Sequence, residues 1–376
     1  MNLFPIQHGF RYGYLDKVSK VIAIKPLYDL AFYFHNGLAR VKEGVKYGFI
    51  NERGHYIINP TFEDAGDFSD GLARVKIERK YGYIDISGKF VIEPQFESSE
   101  DFKEGLAKIK IEGKFGFINK LGKFVIKPQF DIAESFSEDM ALIGMSGQFY
   151  GWKYGFVDKS GHLVVQPQFD VAKSFSNGLA LVSENMWGYV DKKGKMVIKP
   201  QFQHAESFSD GLAVVGSKGD YEWFYGYIDT SGKSVIEPKY EFANDFSEGL
   251  AAVKIGDIPK YFDAQTFDFT ILKKIPKKDD QRFLLNSYYG DKANNRYFIK
   301  TNLNQLEKAR IKEIFDVIGF KIAKSKYGYI DKTGKVIIQP SFDSADKFIN
   351  GVAKVKIGRK CGYIDKTGHY IWEPQD

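Results

Sequence analysis

An aromatic residue followed by glycine returns along this chain at Tyr12, Tyr47, Tyr81, Phe115, Tyr154, Trp187, Tyr225 and Tyr327, and Cys361-Gly362 holds the same place once more. Neighbouring copies stand mostly 33 to 39 residues apart. A period of this size marks a repeat architecture, in which each unit buries its apolar face against the next. The gap from Tyr225 to Tyr327 is 102 residues, three times 34, so residues 260–326 read as two decayed copies starting at Tyr261 and Tyr297. Clear copies occupy 12–259 and 327–376. The expectation is about ten units and a final half unit, in a single array over 1–376.

One copy, GLARVKIERKYGYIDISGKFVIEPQF, shows how a unit is built. Ala73, Val75 and Ile77 alternate with Arg74 and Lys76, the period of a half-exposed strand, here named strand A. YGYID supplies strand B, Asp85 and Gly88 turn the chain, and FVI supplies strand C. Pro94 is expected to end strand C because it has no N–H for a ladder. The connection to the next copy carries a phenylalanine in F-x-x-G, at Phe34, Phe68, Phe102, Phe136, Phe175, Phe208, Phe246 and Phe348, expected in the core. The fold class is therefore all-β: a tandem array of three-stranded antiparallel β-meanders forming an open curved solenoid, with a closed propeller-like ring as the alternative.

Composition agrees with short strands and tight turns, since 16% of the residues are aromatic and 37 are glycine. A hydrophobic share of 43% excludes an intrinsically disordered chain. No apolar run approaches the roughly 20 residues of a membrane helix. The opening MNLFPIQHGFRYGYLDK lacks a secretory-signal pattern, and a single cysteine, Cys361, suits a reducing compartment, so a cytoplasmic location is expected. A net charge of +6 permits an anionic partner without requiring one.

Recurrence also tests candidate chemistry, because a residue type held in the same place by every copy is explained by the copy. His55, His162 and His369 follow the turn glycine where Lys89, Lys123, Lys195, Lys233 and Lys335 stand elsewhere, a solvated turn position. His8, His35 and His204 have no metal-ligand spacing. The acids at Asp16, Asp85, Asp158, Asp191, Asp229, Asp331 and Asp365 alternate with Asn51 and Asn119, an exchange that a turn tolerates and a general acid or base does not. No phosphate loop is present, and Cys361 occupies an aromatic position with no partnered histidine. No catalytic residue, metal or cofactor is expected.

The recurring string is aromatic-Gly-(Tyr/Phe)-(Ile/Val)-(Asp/Asn)-x-x-Gly-(Lys/His)-x-Val-Ile-x-Pro-x-Phe, followed by Phe-x-x-Gly-Leu-Ala-x-Val. It resembles the WG repeat, also called KWG, of bacterial proteins, and Trp187-Gly188 supplies the literal pair. The resemblance covers 12–255 and 327–376 and implies a β-rich interaction module. It implies no catalytic or ligand-binding residue.

If shared positions build the scaffold, specificity belongs where copies diverge. The outward places of strand A are basic early, at Arg40, Lys42, Arg74, Lys76, Lys108 and Lys110, and late, at Lys354 and Lys356. In the middle they become Leu142, Leu181, Val214 and Ala252, with Gly144, Ser183 and Gly216 as the second member. That central row is either an exposed apolar patch or a surface covered by the decayed region. The A-to-B connection lengthens twice, adding Phe149, Tyr150 and Trp152, then Tyr221, Trp223 and Phe224. The stretch TNLNQLEKARIKEIF gathers Leu303, Leu306, Ile311, Ile314 and Phe315 on one side of a short helix. The leading expectation is a non-catalytic scaffold that binds another protein through Leu142, Leu181, Val214, Tyr150, Trp152, Tyr221 and Trp223. An alternative is recognition of an anionic polymer, nucleic acid or acidic glycan, by Arg40, Lys42, Arg74, Lys76, Lys108 and Lys110. An enzyme with a site in 260–326 has no supporting constellation.

Overall fold

Strand B and strand C can pair closely only because each copy places glycine opposite a proline-bearing bulge. Tyr81 pairs with Phe96 and Tyr83 with Ile92, so four steps of strand C span two of strand B. Pro94 lies in the resulting bulge, directly over Gly82. Strand C therefore does not end at Pro94 but runs through it, from Phe90 to Phe96. The bulge removes the ladder hydrogen bond that proline cannot donate, and strand C forms one edge of its sheet.

The computed structural model describes residues 3–146, 151–218, 223–255 and 325–375, with short pieces between 261 and 314. Two units are distinguished, one of residues 1–201 with 371–376 and one of residues 202–370. All strand pairs are antiparallel, and the expected meander is present in each repeat sheet. A two-residue strand adds a fourth member: Ser98–Ser99 pairs with strand A at Leu106–Ile111, followed by Lys114–Asn119 and Phe124–Phe130. Among the described residues nine sheets follow this plan. The first has three strands, and its strand A, Leu3–His8, lies upstream of Tyr12.

The two decayed copies expected at Tyr261 and Tyr297 are not repeats of this kind. Strand Leu250–Ile255 pairs directly with Lys326–Asp331, in the register of every other A–B pair, so 256–325 is the connection between the strands of one sheet. Its described strands, Tyr261–Asp263, Tyr288–Asp291 and Arg296–Ile299, make a separate three-stranded sheet. The expected helix is present at Arg310, Ile311 and Ile314, with both isoleucines buried. Leu303, Leu306 and Phe315 lie outside the described residues.

Strand A is buried on both faces, which corrects its reading as half-exposed. Ala73 and Val75 pack with Leu38, Phe49 and Ile58 of the preceding sheet, while Leu72 packs with Tyr83, Phe102 and Ile109 on the other side. The F-x-x-G phenylalanines are all core residues, as expected. Most lie against the aromatic two places after the repeat's first one: the Tyr83 and Phe102 rings are 4.8 Å apart, Phe117 and Phe136 4.8 Å, Tyr227 and Phe246 4.7 Å. Where that aromatic is Tyr14, Tyr83, Tyr227 or Tyr329, its hydroxyl donates to a backbone carbonyl; Tyr83 Oη reaches the Glu100 carbonyl at 2.7 Å.

The Asp/Asn place is a turn acceptor. Asp85 Oδ1 accepts from Ser87 Oγ at 2.6 Å, Ser87 N at 2.9 Å and Lys89 N at 3.1 Å, and Asn119 Oδ1 accepts the matching bonds from Leu121 and Lys123. The Ser87 hydroxyl, then the backbone donors, hold the Asp85 carboxyl below its usual range, and Asp158, Asp229 and Asp331 are lowered in the same way. A depressed carboxylate adds stability above its unfolded value of about 3.9, and that share is lost as pH falls through the folded value. We therefore expect the Lys89 amide to lose hydrogen-exchange protection as pH falls through the lowered folded value of Asp85 while the Lys123 amide, bonded to neutral Asn119, keeps it. Equal loss at both would refute this assignment.

Candidate binding surface at the hairpin ends

The basic places of strand A do not form a solvent-facing row. Arg40 donates from Nη1 to the Ala65 carbonyl and from Nε to Asp67 Oδ1 at 3.0 Å. Arg74 Nη1 reaches the Ser99 carbonyl at 2.8 Å, and Lys108 Nζ the Ala133 carbonyl at 2.9 Å. Each cation thus holds a carbonyl 25 residues ahead, on the short strand of the next sheet. These three are inter-repeat clamps, because the long stems cross apolar core and only the tips meet polar groups. Arg74 is also 3.7 Å from Asp101, whose carboxyl burial pushes above its ordinary range although Arg74 works against the shift. Gly66 leaves the room for that carboxylate: a Cβ there would stand 1.8 Å from Asp101 Oδ1.

The second members, Lys42, Lys76 and Lys110, lie across the sheet from Tyr47, Tyr81 and Phe115, with each ammonium 5.1 to 5.3 Å from the ring centroid. Cation–π contact therefore engages the second row too. Carboxylates flank the same hairpins, where Glu63 and Glu97 accept turn N–H bonds. A row that is clamped, stacked and flanked by acids is a poor track for a polyanion.

The central apolar row is corrected as well. Leu142, Leu181 and Val214 are exposed by only 5%, 0% and 2%. They are core residues, with Leu142 in one cluster with Phe156, Phe169 and Phe175. The place is already internal in the early repeats, so leucine replaces a clamp and not a surface cation.

Exposed apolar groups are spread over the described residues, and four of them, Met145, Trp152, Val171 and Phe242, lie at the lengthened hairpins or on the short strands. In the first unit the strands Met140–Ser146 and Trp152–Asp158 run on until Ser146 faces Trp152. Met145, Trp152 and Val171 are exposed by 41, 44 and 43%. In the second unit Lys218 faces Trp223, whose ring lies 6.1 Å from His204. His204 and Phe242 then meet Tyr225 edge-on at 5.4 and 6.3 Å, and Phe242 meets Tyr327 at 6.0 Å. Gly216 makes room beneath, since a Cβ there would stand 3.1 to 3.2 Å from His204, Trp223 and Tyr225. Of the rim residues expected from the sequence, Trp152 and Trp223 take part; Tyr150 and Tyr221 lie outside the described residues. Met145, Val171 and Phe242 escaped sequence reasoning, although the short-strand series Asp64, Ser98, Ile132, Val171, His204, Phe242 turns apolar in the middle.

Among the described residues no group of three or more His, Cys, Asp or Glu side chains could hold a metal ion. Among them too, no helix is long and apolar enough to cross a membrane.

The model of a family described as WG containing repeat matches residues 12–47, 47–81, 81–115, 115–148, 154–185, 187–220, 225–257 and 327–361. No curated protein matches the chain. Among solved structures it is similar to Kluyveromyces lactis Hsv2, at 11% identity and a TM-score of 0.38 over 68% of this chain and 89% of that one. It is also similar to a quinoprotein alcohol dehydrogenase-like protein of Bacteroides thetaiotaomicron, at 13% identity and a TM-score of 0.32 over 62% and 74% of the two chains. A third likeness is to a putative TolB of Agrobacterium tumefaciens, at 11% identity and a TM-score of 0.28 over 66% and 82%.

Proposed function

The chain belongs to the family of WG-containing repeat proteins, and from that premise we propose that it is a non-catalytic scaffold that binds another protein through the hairpin ends of its middle repeats. One observation carries the reading: the recurring polar and aromatic places are consumed by turns, clamps and cores, whereas Met145, Trp152 and Val171 leave apolar surface open where copies diverge. Exposed aromatic and apolar side chains on such rims are suited to anchor a partner. We take the scaffold to be bacterial and cytoplasmic, because the repeat resembles that of bacterial proteins and one cysteine fits a reducing compartment.

Affinity capture from cells of the source organism tests this, comparing the wild-type chain with a Trp152→Ser, Val171→Ser variant of unchanged circular dichroism. A specific protein should be retained by the first and lost by the second. Identical sets of captured proteins would overturn the reading.

A further inference from the structure

Five consecutive sheets of the first unit place an aromatic at the same point of strand B, and its surroundings change partway along. Arg40 and Lys42 stand 5.7 and 5.3 Å from the Tyr47 ring, Arg74 and Lys76 both 5.2 Å from Tyr81, and Lys108 and Lys110 5.4 and 5.1 Å from Phe115. In the next two sheets Gly144 stands opposite Tyr154 and Ser183 opposite Trp187, where the earlier sheets have lysine. Leu142 and Leu181 replace the clamping cations. Among the described residues no lysine or arginine lies over either ring.

The two places keep the rest of the slot. Val171 pairs with Ser183 and Ile132 with Gly144, so each ring is edged by an aliphatic side chain suited to the stem of a lysine or arginine. Trp152 is two residues before Tyr154 on the same strand and so shares its face. Of the acids close by, Glu134 lies 3.6 Å from Lys108 Nζ and Asp170 2.6 Å from Lys153 Nζ, so both already meet a lysine of this chain, while Glu184 is exposed after Ser183. The ring chemistry, with a cation over the equivalent ring in each of the three preceding sheets, favours a cation.

We propose that Tyr154 and Trp187 are cation-receiving faces filled in trans, with lysine or arginine side chains of a protein partner taking the positions that the preceding sheets fill with their own. The occupant is a basic segment of that partner, laid across two adjacent hairpin ends. This rests on the hairpin ends being a protein-binding surface and adds the chemistry of what they take.

The test uses the full chain and two probes, the peptide Gly-Arg-Gly-Arg-Gly and its twin with citrulline for arginine, followed by tryptophan fluorescence. The arginine peptide should bind at least about tenfold more tightly than the neutral twin, the ratio expected of a partly desolvated cation–π contact. Trp187→Leu should abolish the difference. Ser183→Lys, which supplies an internal lysine as Lys110 does for Phe115, should weaken the arginine peptide by a similar factor, whereas Ser183→Gln should not. Equal binding of the twins, binding of neither, or no effect of Ser183→Lys in a folded chain would overturn the proposal. If the twins are not distinguished while Trp152→Ser, Val171→Ser still loses the captured partner, the cation assignment falls and the scaffold reading stands.

Discussion

Adding one methyl group at Gly82 should disrupt the sheet that carries it. A Cβ there would stand 2.5 Å from the Ile92 oxygen, 2.7 Å from the Pro94 nitrogen and 2.9 Å from the Glu93 carbonyl carbon. All three are backbone atoms, so no side chain can swing aside, and the bulge itself would have to move. Gly82→Ala should cost about 3 kcal/mol, at the upper end of the range for overpacking. The useful control is Gly71→Ala, where φ is +88° but nothing lies within 4 Å. That change adds only the strain of a left-handed residue, about 1–2 kcal/mol. Urea unfolding should rank the two variants in that order, and a Gly82→Ala chain no weaker than Gly71→Ala would show that strand C does not press on strand B as described.

Phe102→Ala should be as damaging through a different cause. The ring is fully buried, packs at 4.8 Å on Tyr83, and shares a cluster with Leu72, Ile92, Phe96 and Ile109 from two adjacent sheets. Its removal leaves a cavity that the rigid strands cannot close, with an expected loss of about 3–5 kcal/mol. Because repeat stability is carried by neighbour interfaces, hydrogen exchange should accelerate first in the strands Ala73–Ile77 and Leu106–Ile111. Uniform acceleration, or none, would count against the sheet-to-sheet core.

What the sequence made legible follows from what is local. The aromatic-Gly pair, the Asp-x-x-Gly turn and the F-x-x-G phenylalanine announce their roles because each returns at a fixed spacing in copy after copy. The clamps were hidden for a physical reason: Arg74 between Ala73 and Val75 gives the same alternation whether its tip is in water or on the Ser99 carbonyl. The two-residue register offset at Pro94 depends on the partner strand, which periodicity does not report. The two-residue strand Ser98–Ser99 is too short to have a period at all. The connection 256–325 was mistaken for decayed repeats because its length mimics a multiple of the period, and only the pairing of Val253 with Gly328 reveals the insertion.

The candidate surface was half legible. Trp152 and Trp223 stood out as additions to a repeated loop, and they do flank the aromatic groups described here. The companion row of Leu142, Leu181 and Val214 was placed outside because lysine and arginine at the equivalent places suggested water. The buried stems of Arg40 and Lys108 explain the error: a charged side chain at 14% or 10% exposure marks an internal position with a polar outlet, which leucine can inherit without the outlet.

The central claim is that the repeated places build the protein and the divergent hairpin ends engage its partner. A photo-crosslinking residue introduced separately at Trp152 and at Leu121 tests it most directly. Leu121 is 73% exposed and belongs to a recurring turn, so it is more accessible than Trp152, at 44%, and differs from it in divergence. Irradiation in cells of the source organism should give a discrete protein adduct from position 152 and none from position 121. An adduct from 121 alone, or equal adducts from both, would contradict the account.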